Sequence, residues 1–327
     1  MLRFQDILGH DTQIDALQRA LEGDSLHHAQ LFVGPEGIGK RSVALALAAA
    51  IQCENATRDA CGECPNCLCL RDGNHPDVHW LELRTGKKEI GIDQVRELQK
   101  RLVLTCLTGS RKVALVEPLT VMNVHAQNAL LKTLEEPPNN CVLILIANSV
   151  GGILPTVLSR CVRLQFTSLG IDQVAAIVAE RKGISRARAQ LLATLSHGSL
   201  GTALNGDEEG LLERRRACLE RLADLSPQDT RGVLALAEEM GSDREKSLEF
   251  LDWTKAWIRD LVVVQVRGAE AKVYNQDLLE HLQRKAAERR VQDTASMLTE
   301  IDRATGAIRR NFNRRLVLEG FIPKLLS

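Results

Sequence analysis

The stretch Gln30–Ser42, QLFVGPEGIGKRS, decides the fold. A short apolar run, Gln30 to Val33, enters a glycine-rich turn, and Ser42 to Ala50 is helical by propensity. Strand, glycine loop and helix in this order match the pattern G-x-x-x-x-G-K-[ST], in which backbone N–H groups wrap phosphate and the lysine reaches the β/γ-phosphates. Gly34, Gly37, Gly39 and Lys40 are therefore the candidate phosphate ligands. One position departs. Arg41 stands where the pattern has a Ser or Thr hydroxyl for Mg²⁺, and Ser42, one helical step on, is swung about 100° away.

Outward from this stretch, short apolar runs alternate with helical patterns. Asp77 to Leu83 alternates like a strand, while Val113 to Val116 and Cys141 to Ala147 are continuous apolar runs, as in strands covered on both faces. Cys161 to Phe166 reads as the last strand. The alternation predicts a parallel α/β sheet with ligands at the strand C-termini. After Phe166 the strand signal stops. Short helical patterns run to about Leu204, and from Glu209 on the chain reads as helix, with breaks near Ser226-Pro227, Gly241 to Asp243 and Gly268. The boundaries give three expected domains, 1–166, 167–207 and 208–327.

Composition narrows the function classes. Lys+Arg and Asp+Glu both number 42, so bulk charge argues for neither nucleic acid nor membrane. The 3% aromatic share is too small for a base-stacking platform. The first residues, MLRFQDILGHDTQ, hold no apolar signal segment, and no later run is long enough to span a bilayer, so a cytoplasmic protein is expected. Nine cysteines in such a compartment point to metal ligands or buried thiols rather than disulfides.

Four of them, Cys53, Cys61, Cys64 and Cys67, follow the phosphate-loop helix closely. Four thiolates at this spacing suit a closed, tetrahedral, structural Zn²⁺ site, with Gly62 and Pro65 supplying tight turns. Cys69 is a fifth candidate ligand, leaving the fourth position open between it and Cys67. Four sulfurs leave the metal no open position, so no catalysis is assigned to it. Cys106, Cys141, Cys161 and Cys218 stand alone and read as packing residues.

The ordered set of motifs is more specific than any one of them. It comprises FQDILGH (4–10), LHHA (26–29), the phosphate loop, the cysteine insert, HPD (75–77) and IDQVREL (92–98). It continues with NALLKTLEEPP (128–138), LPTVLSRC (154–161), HGSLG (197–201) and NFNRRLVLE (311–319). On these residues the chain resembles the delta-prime family of bacterial DNA polymerase III clamp-loader subunits, AAA+ proteins related to the gamma/tau motor subunits. The resemblance implies an α/β AAA+ P-loop domain with a zinc module at 53–67, a small helical lid and an all-α C-terminal collar domain. It implies a hetero-pentamer with gamma/tau and delta subunits that acts on the sliding clamp and primed DNA, as part of the DNA polymerase III holoenzyme.

Against that pattern, active relatives end the strand equivalent to Val113–Val116 in Asp-Glu, for Mg²⁺ and for the attacking water. Here Glu117-Pro118 stands there. The family's second sensor arginine, expected after Gly198-Ser199, is replaced by Leu200-Gly201. Losing metal ligand, base and arginine together is expected to abolish turnover, because phosphoryl transfer rests on positioning and charge stabilisation. ATP binding stays open while hydrolysis is not expected. The resemblance gives Arg160, in Ser159-Arg160-Cys161, a catalytic role in trans as an arginine finger for a neighbour's ATP, an effect of about 10³ to 10⁵ in rate. The competing readings are an active ATPase of the gamma/tau kind and, more weakly, a zinc-dependent nucleic-acid module.

Other residues read more plainly. Asn148, after the Cys141–Ala147 run, is either a polar sensor or a strand cap. Glu135-Glu136, ended by Pro137-Pro138, reads as a solvated helix end, because adjacent helix residues point apart. Arginine runs at 214–216, 289–290 and 309–310 read as solvated faces, and Trp253 and Trp257, four apart, as core.

Overall fold

The computed structural model describes residues 3–55, 58–138, 140–205, 208–226, 228–268 and 271–326. Five parallel strands, β1 (Ala29–Val33), β2 (Val78–Glu82), β3 (Lys112–Glu117), β4 (Cys141–Ala147) and β5 (Val162–Gln165), form one sheet in the order β2-β3-β4-β1-β5. The expected parallel α/β sheet is present. Its helices are α1 (Asp11–Glu22), α2 (Lys40–Gln52), α3 (Pro65–Arg71), α4 (Ile92–Leu102), α5 (Val124–Glu135) and α6 (Pro155–Leu158).

The continuous apolar run of β4 is explained by its central place, where all seven residues are buried. Successive strand side chains point to opposite faces. Leu143, Leu145 and Ala147 pack with Val95 and Leu98 of α4 and Leu130 and Leu134 of α5. Val142, Ile144 and Ile146 pack with Ile14 and Leu17 of α1 and Val43 and Leu47 of α2. Each fully buried side chain of this kind contributes about 1.5–3 kcal/mol of gross hydrophobic stabilisation.

Asp77, just before β2, fixes one edge of this layer. Its carboxylate is wholly buried and accepts from the backbone N–H groups of Leu107, Thr108 and Gly109 and from Lys112 Nζ, each at 2.9 Å. Burial alone would raise its pKa, but these hydrogen bonds together hold it well below the usual carboxylate range. One side chain thus shapes the connection from α4 into β3.

Two compact units divide the chain: one runs to Leu169 and includes Ser199–Gly201, the other comprises Gly170–Gly198 and the chain from Thr202 onward. The helices after β5 are α7 (Ile171–Lys182), α8 (Arg186–Leu195), α9 (Leu200–Asn205), α10 (Glu208–Asp224), α11 (Thr230–Met240), α12 (Arg244–Arg267), α13 (Leu279–Ala287), α14 (Val291–Arg309) and α15 (Arg314–Leu326). The expected breaks recur as caps. Gly241 ends α11, Asp243 caps α12 by accepting from Glu245 N–H, and Gly268, at φ 57°, ends α12. Pro227, and the 207 end of the expected middle segment, lie outside the described residues.

The second unit is built around α12, whose Phe250, Leu251, Trp253, Trp257 and Ile258 meet Leu219, Leu222, Ile301 and Phe321 in one core. Two arginine runs depart from the expected solvated faces. Arg215 is fully buried and donates to Asn275 and Asp277, while the adjacent Arg216 is exposed and pairs with Glu220. Asn275 also donates to the buried Asp260, which explains the burial: the guanidinium and carboxylate together close the chain between α12 and α13. Arg289 donates to the carbonyls of Leu325 and Leu326 at 2.7 Å each, capping the end of α15.

Candidate functional site

The glycine loop lies where β1 leaves the sheet between β4 and β5, the switch point at which the strand order turns back. Gly37 (φ 70°) and Gly39 (φ 108°) hold backbone that L side chains rarely adopt, and Gly39 precedes the first turn of α2. At Gly34 a Cβ would lie 2.4 Å from the Phe166 carbonyl oxygen, so only glycine fits. Lys40, only 4% exposed, donates through Nζ to Gly34 O (2.7 Å), Pro35 O (2.5 Å) and Asn148 Oδ1 (3.3 Å). Burial pushes its pKa below the usual lysine value. The four loop residues expected from the sequence come together, with Asn148 joined to them.

The position expected for a second sensor arginine closes on the same loop. Gly201 N–H donates to Gly37 O at 2.9 Å, and a Cβ on Gly201 would stand 2.8 Å from that oxygen. Glycine is needed there because two backbones touch.

Arg41, one residue into α2, crosses to the ends of β2 and β3. Nη1 donates to Glu117 Oε2 at 3.0 Å, Nη2 donates to the Glu82 carboxylate, and the guanidinium lies 4.3 Å from the centre of the Trp80 ring. Burial raises the Glu117 pKa, while Arg41 pulls it down and Glu82 adds to the rise. Glu117, considered above as the residue in the metal-holding position, is thus an ion-pair partner of Arg41. The residues do not fit a Mg²⁺ ion: the hydroxyl ligand is absent and the remaining carboxylates are engaged by a guanidinium.

Arg160 sits between α6 and the edge strand β5. Nη2 pairs with Glu135 Oε1 at 2.7 Å, and Nη1 donates to Thr156 O (2.9 Å) and Ser159 Oγ (3.2 Å). Its side chain stays 36% exposed. Glu135 is therefore more than a solvated helix end: the last residue of α5 holds the guanidinium. None of these contacts goes to the glycine loop.

The cysteines form a second centre. The Sγ atoms of Cys53, Cys61, Cys64 and Cys67 lie within 4.8 Å of one another and could hold a metal ion. Cys61–Cys67 and Cys64–Cys53 sulfur distances are 3.9 and 4.0 Å. A tetrahedron with metal–sulfur bonds of about 2.3 Å has edges of about 3.8 Å, so the set fits such an ion and is far too wide for disulfides. N–H groups of Cys61, Cys64 and Cys67 point at the sulfurs of Cys53, Cys61 and Cys64. The Glu63 and Cys64 N–H groups lower the Cys61 pKa to about 6, while burial pushes Cys53 and Cys67 up. Cys69, the fifth candidate, is exposed and outside the group. Asp59, two residues before Cys61, accepts from Phe4 N (2.9 Å) and Gln5 N (3.1 Å), tying the module to the first residues of the chain.

Sequence reasoning missed Trp80, Glu82 and Glu135 as site residues. The i, i+2 spacing of Trp80 and Glu82 in a strand beside Glu117 was the available signal for the first two. No local signal marks Glu135 as the partner of Arg160.

Fold and site define a parallel α/β protein carrying a glycine loop at the sheet's switch point and a four-cysteine module beside it. The DNA polymerase III delta subunit family matches residues 9–170. The chain is 36% identical to DNA polymerase III subunit delta' of Pseudomonas aeruginosa, over 95% of its own length and 96% of that protein. It is 27% identical to subunit delta' of Bacillus subtilis, over 94% of each. It is also 32% identical to subunit tau of Escherichia coli over 64% of its length, spanning only 33% of tau. The chain belongs to the DNA polymerase III delta' family. No helix among the described residues is long and apolar enough to cross a membrane.

Proposed function

We propose that this chain is a non-hydrolysing AAA+ stator subunit of a bacterial DNA polymerase III clamp loader. It assembles with gamma/tau and delta subunits as a hetero-pentamer and helps load the sliding clamp onto primed DNA in the cytoplasm. It presents Arg160 to the ATP of a neighbouring subunit. An arginine suits this task because its planar fork stays charged and can meet phosphate oxygens bidentately.

The observation that carries the reading is the pairing of Arg41 with Glu117, in the two positions where an active phosphate loop has its metal ligands. With Pro118 and Gly201 in the base and sensor positions, the loop has lost both the carboxylate that would activate water and the sensor arginine that would stabilise the transferred charge. Arg160, in the turn before the edge strand β5, keeps a partly exposed side chain, as a group acting on a neighbour requires. The end of strand structure at Gln165 and the helices that follow support the boundary at 166, and the division of the rest into lid (167–207) and collar (208–327) rests on the family resemblance. The cysteine module would hold structural Zn²⁺ through Cys53, Cys61, Cys64 and Cys67, with no open position for chemistry.

ATP turnover by the isolated, zinc-replete chain tests the non-hydrolysing part. No magnesium-dependent multiple turnover is expected, and turnover that disappears in Lys40→Ala would show an active ATPase instead.

A further inference from the structure

We infer that Arg41 is the resident cation of the glycine-loop site and excludes a divalent ion from it. The inference deepens the non-hydrolysing reading and does not depend on Arg160. Glu82 and Glu117 are register partners at the ends of adjacent parallel strands, so their side chains leave the same face of the sheet about 4.8 Å apart. Two carboxylates so placed repel each other, and a cation between them relieves that repulsion. Trp80, two residues before Glu82, stands on that face as well. Arg41 meets all three at once, with one nitrogen on each carboxylate and the guanidinium plane over the indole. Only a planar fork does this; a lysine ammonium is a point charge.

A positive group tethered to α2 therefore stands beside the carboxylates at the strand ends. For a metal ion to bind, the guanidinium must leave both carboxylates and the ring, and a dication must tolerate a monocation beside it. Replacing Arg41 by serine reverses both conditions: it frees Glu82 and Glu117 and restores the hydroxyl that the pattern G-x-x-x-x-G-K-[ST] uses for metal. Arg41 is in this sense a specificity residue, deciding that the site holds a guanidinium rather than a divalent ion.

Titration of the zinc-replete full chain with Mn²⁺, followed by loss of the free-ion paramagnetic resonance signal, tests this. Mn²⁺ prefers oxygen ligands and leaves the cysteine module alone. Wild type should show no Mn²⁺ site sensitive to Glu117→Gln. Arg41→Ser should gain one site at least tenfold tighter than any in wild type, and the double variant with Glu117→Gln should lose it. Arg41→Gln, which removes the charge but keeps a polar side chain on α2, should gain a weaker site and carries the test if the serine variant fails to fold. Equal Mn²⁺ binding by wild type and the folded variants, or a wild-type site abolished by Glu117→Gln, would overturn the inference. Either result leaves the role of Arg160 to be decided separately.

Discussion

Arg160 and Glu135 form an ion pair at 2.7 Å that joins the turn before β5 to the end of α5, with the arginine side chain still 36% exposed. A pair this open to water contributes only about 0–1 kcal/mol. Arg160→Ala should therefore lower the stability of the isolated chain by less than about 1 kcal/mol in urea unfolding. A loss of several kcal/mol would mark the arginine as structural. Glu135→Gln should be equally mild, because Thr156 O and Ser159 Oγ continue to hold Nη1.

The cysteine module ties down the N-terminal segment through Asp59, which accepts from Phe4 and Gln5 N–H groups. Phe4 itself is buried in the core between the sheet and α2. Metal binding by four thiolates is linked to folding, so stripping zinc with a chelator should lower the thermal midpoint of the first unit and deprotect the amides of Phe4 and Gln5 to hydrogen exchange. An unchanged melting curve for zinc-free protein would refute the structural role of the metal.

Asp77 carries a pH prediction with a definite sign. Its folded pKa lies below the unfolded carboxylate value of about 3.9, so its contribution is fully present above that value and is lost as pH falls through the folded one. Stability should drop more steeply below about pH 4 in wild type than in Asp77→Asn. At neutral pH, Asp77→Asn should cost about 3–5 kcal/mol, because Lys112, 4% exposed, is left as a buried unpaired cation. A loss under about 1 kcal/mol would mean that Lys112 escapes to solvent.

Gly201 is a packing prediction. Its Cβ would meet the Gly37 carbonyl at 2.8 Å, a backbone atom that yields only by moving the loop. Gly201→Ala should cost about 1–3 kcal/mol in denaturant unfolding, the usual range for overpacking. A neutral result would show that the loop gives way freely.

The sequence made the sheet legible because buried parallel strands read as continuous apolar runs, and β4 matches its run from Cys141 to Ala147. The cysteine group was legible because its ligands lie close together in the chain. Long-range pairing was not. Arg41 was visible as a departure, yet its partner Glu82 lies on a strand forty-one residues further on, where the spacing from Trp80 marks a shared face but not the residue that pairs with it. Arg215 illustrates the opposite failure: within an arginine run it looked solvated, and only the fold shows that Asn275 and Asp277 draw it inside. His75-Pro-Asp77 was noted as a motif, but the backbone N–H groups that Asp77 gathers, from Leu107 to Gly109, carry no side-chain signature.

The proposed stator role requires that Arg160 act on a neighbour's ATP while this chain's own loop is inert. Clamp- and DNA-stimulated ATP hydrolysis by the reconstituted loader, comparing wild type with Arg160→Ala after assembly is verified by size, tests it most directly. Normal assembly is expected, with most of the hydrolysis at the site facing Arg160 lost, within the range of about 10³ to 10⁵ that arginine fingers supply. Unchanged hydrolysis in the assembled mutant would contradict it and leave the arginine as no more than the partner of Glu135.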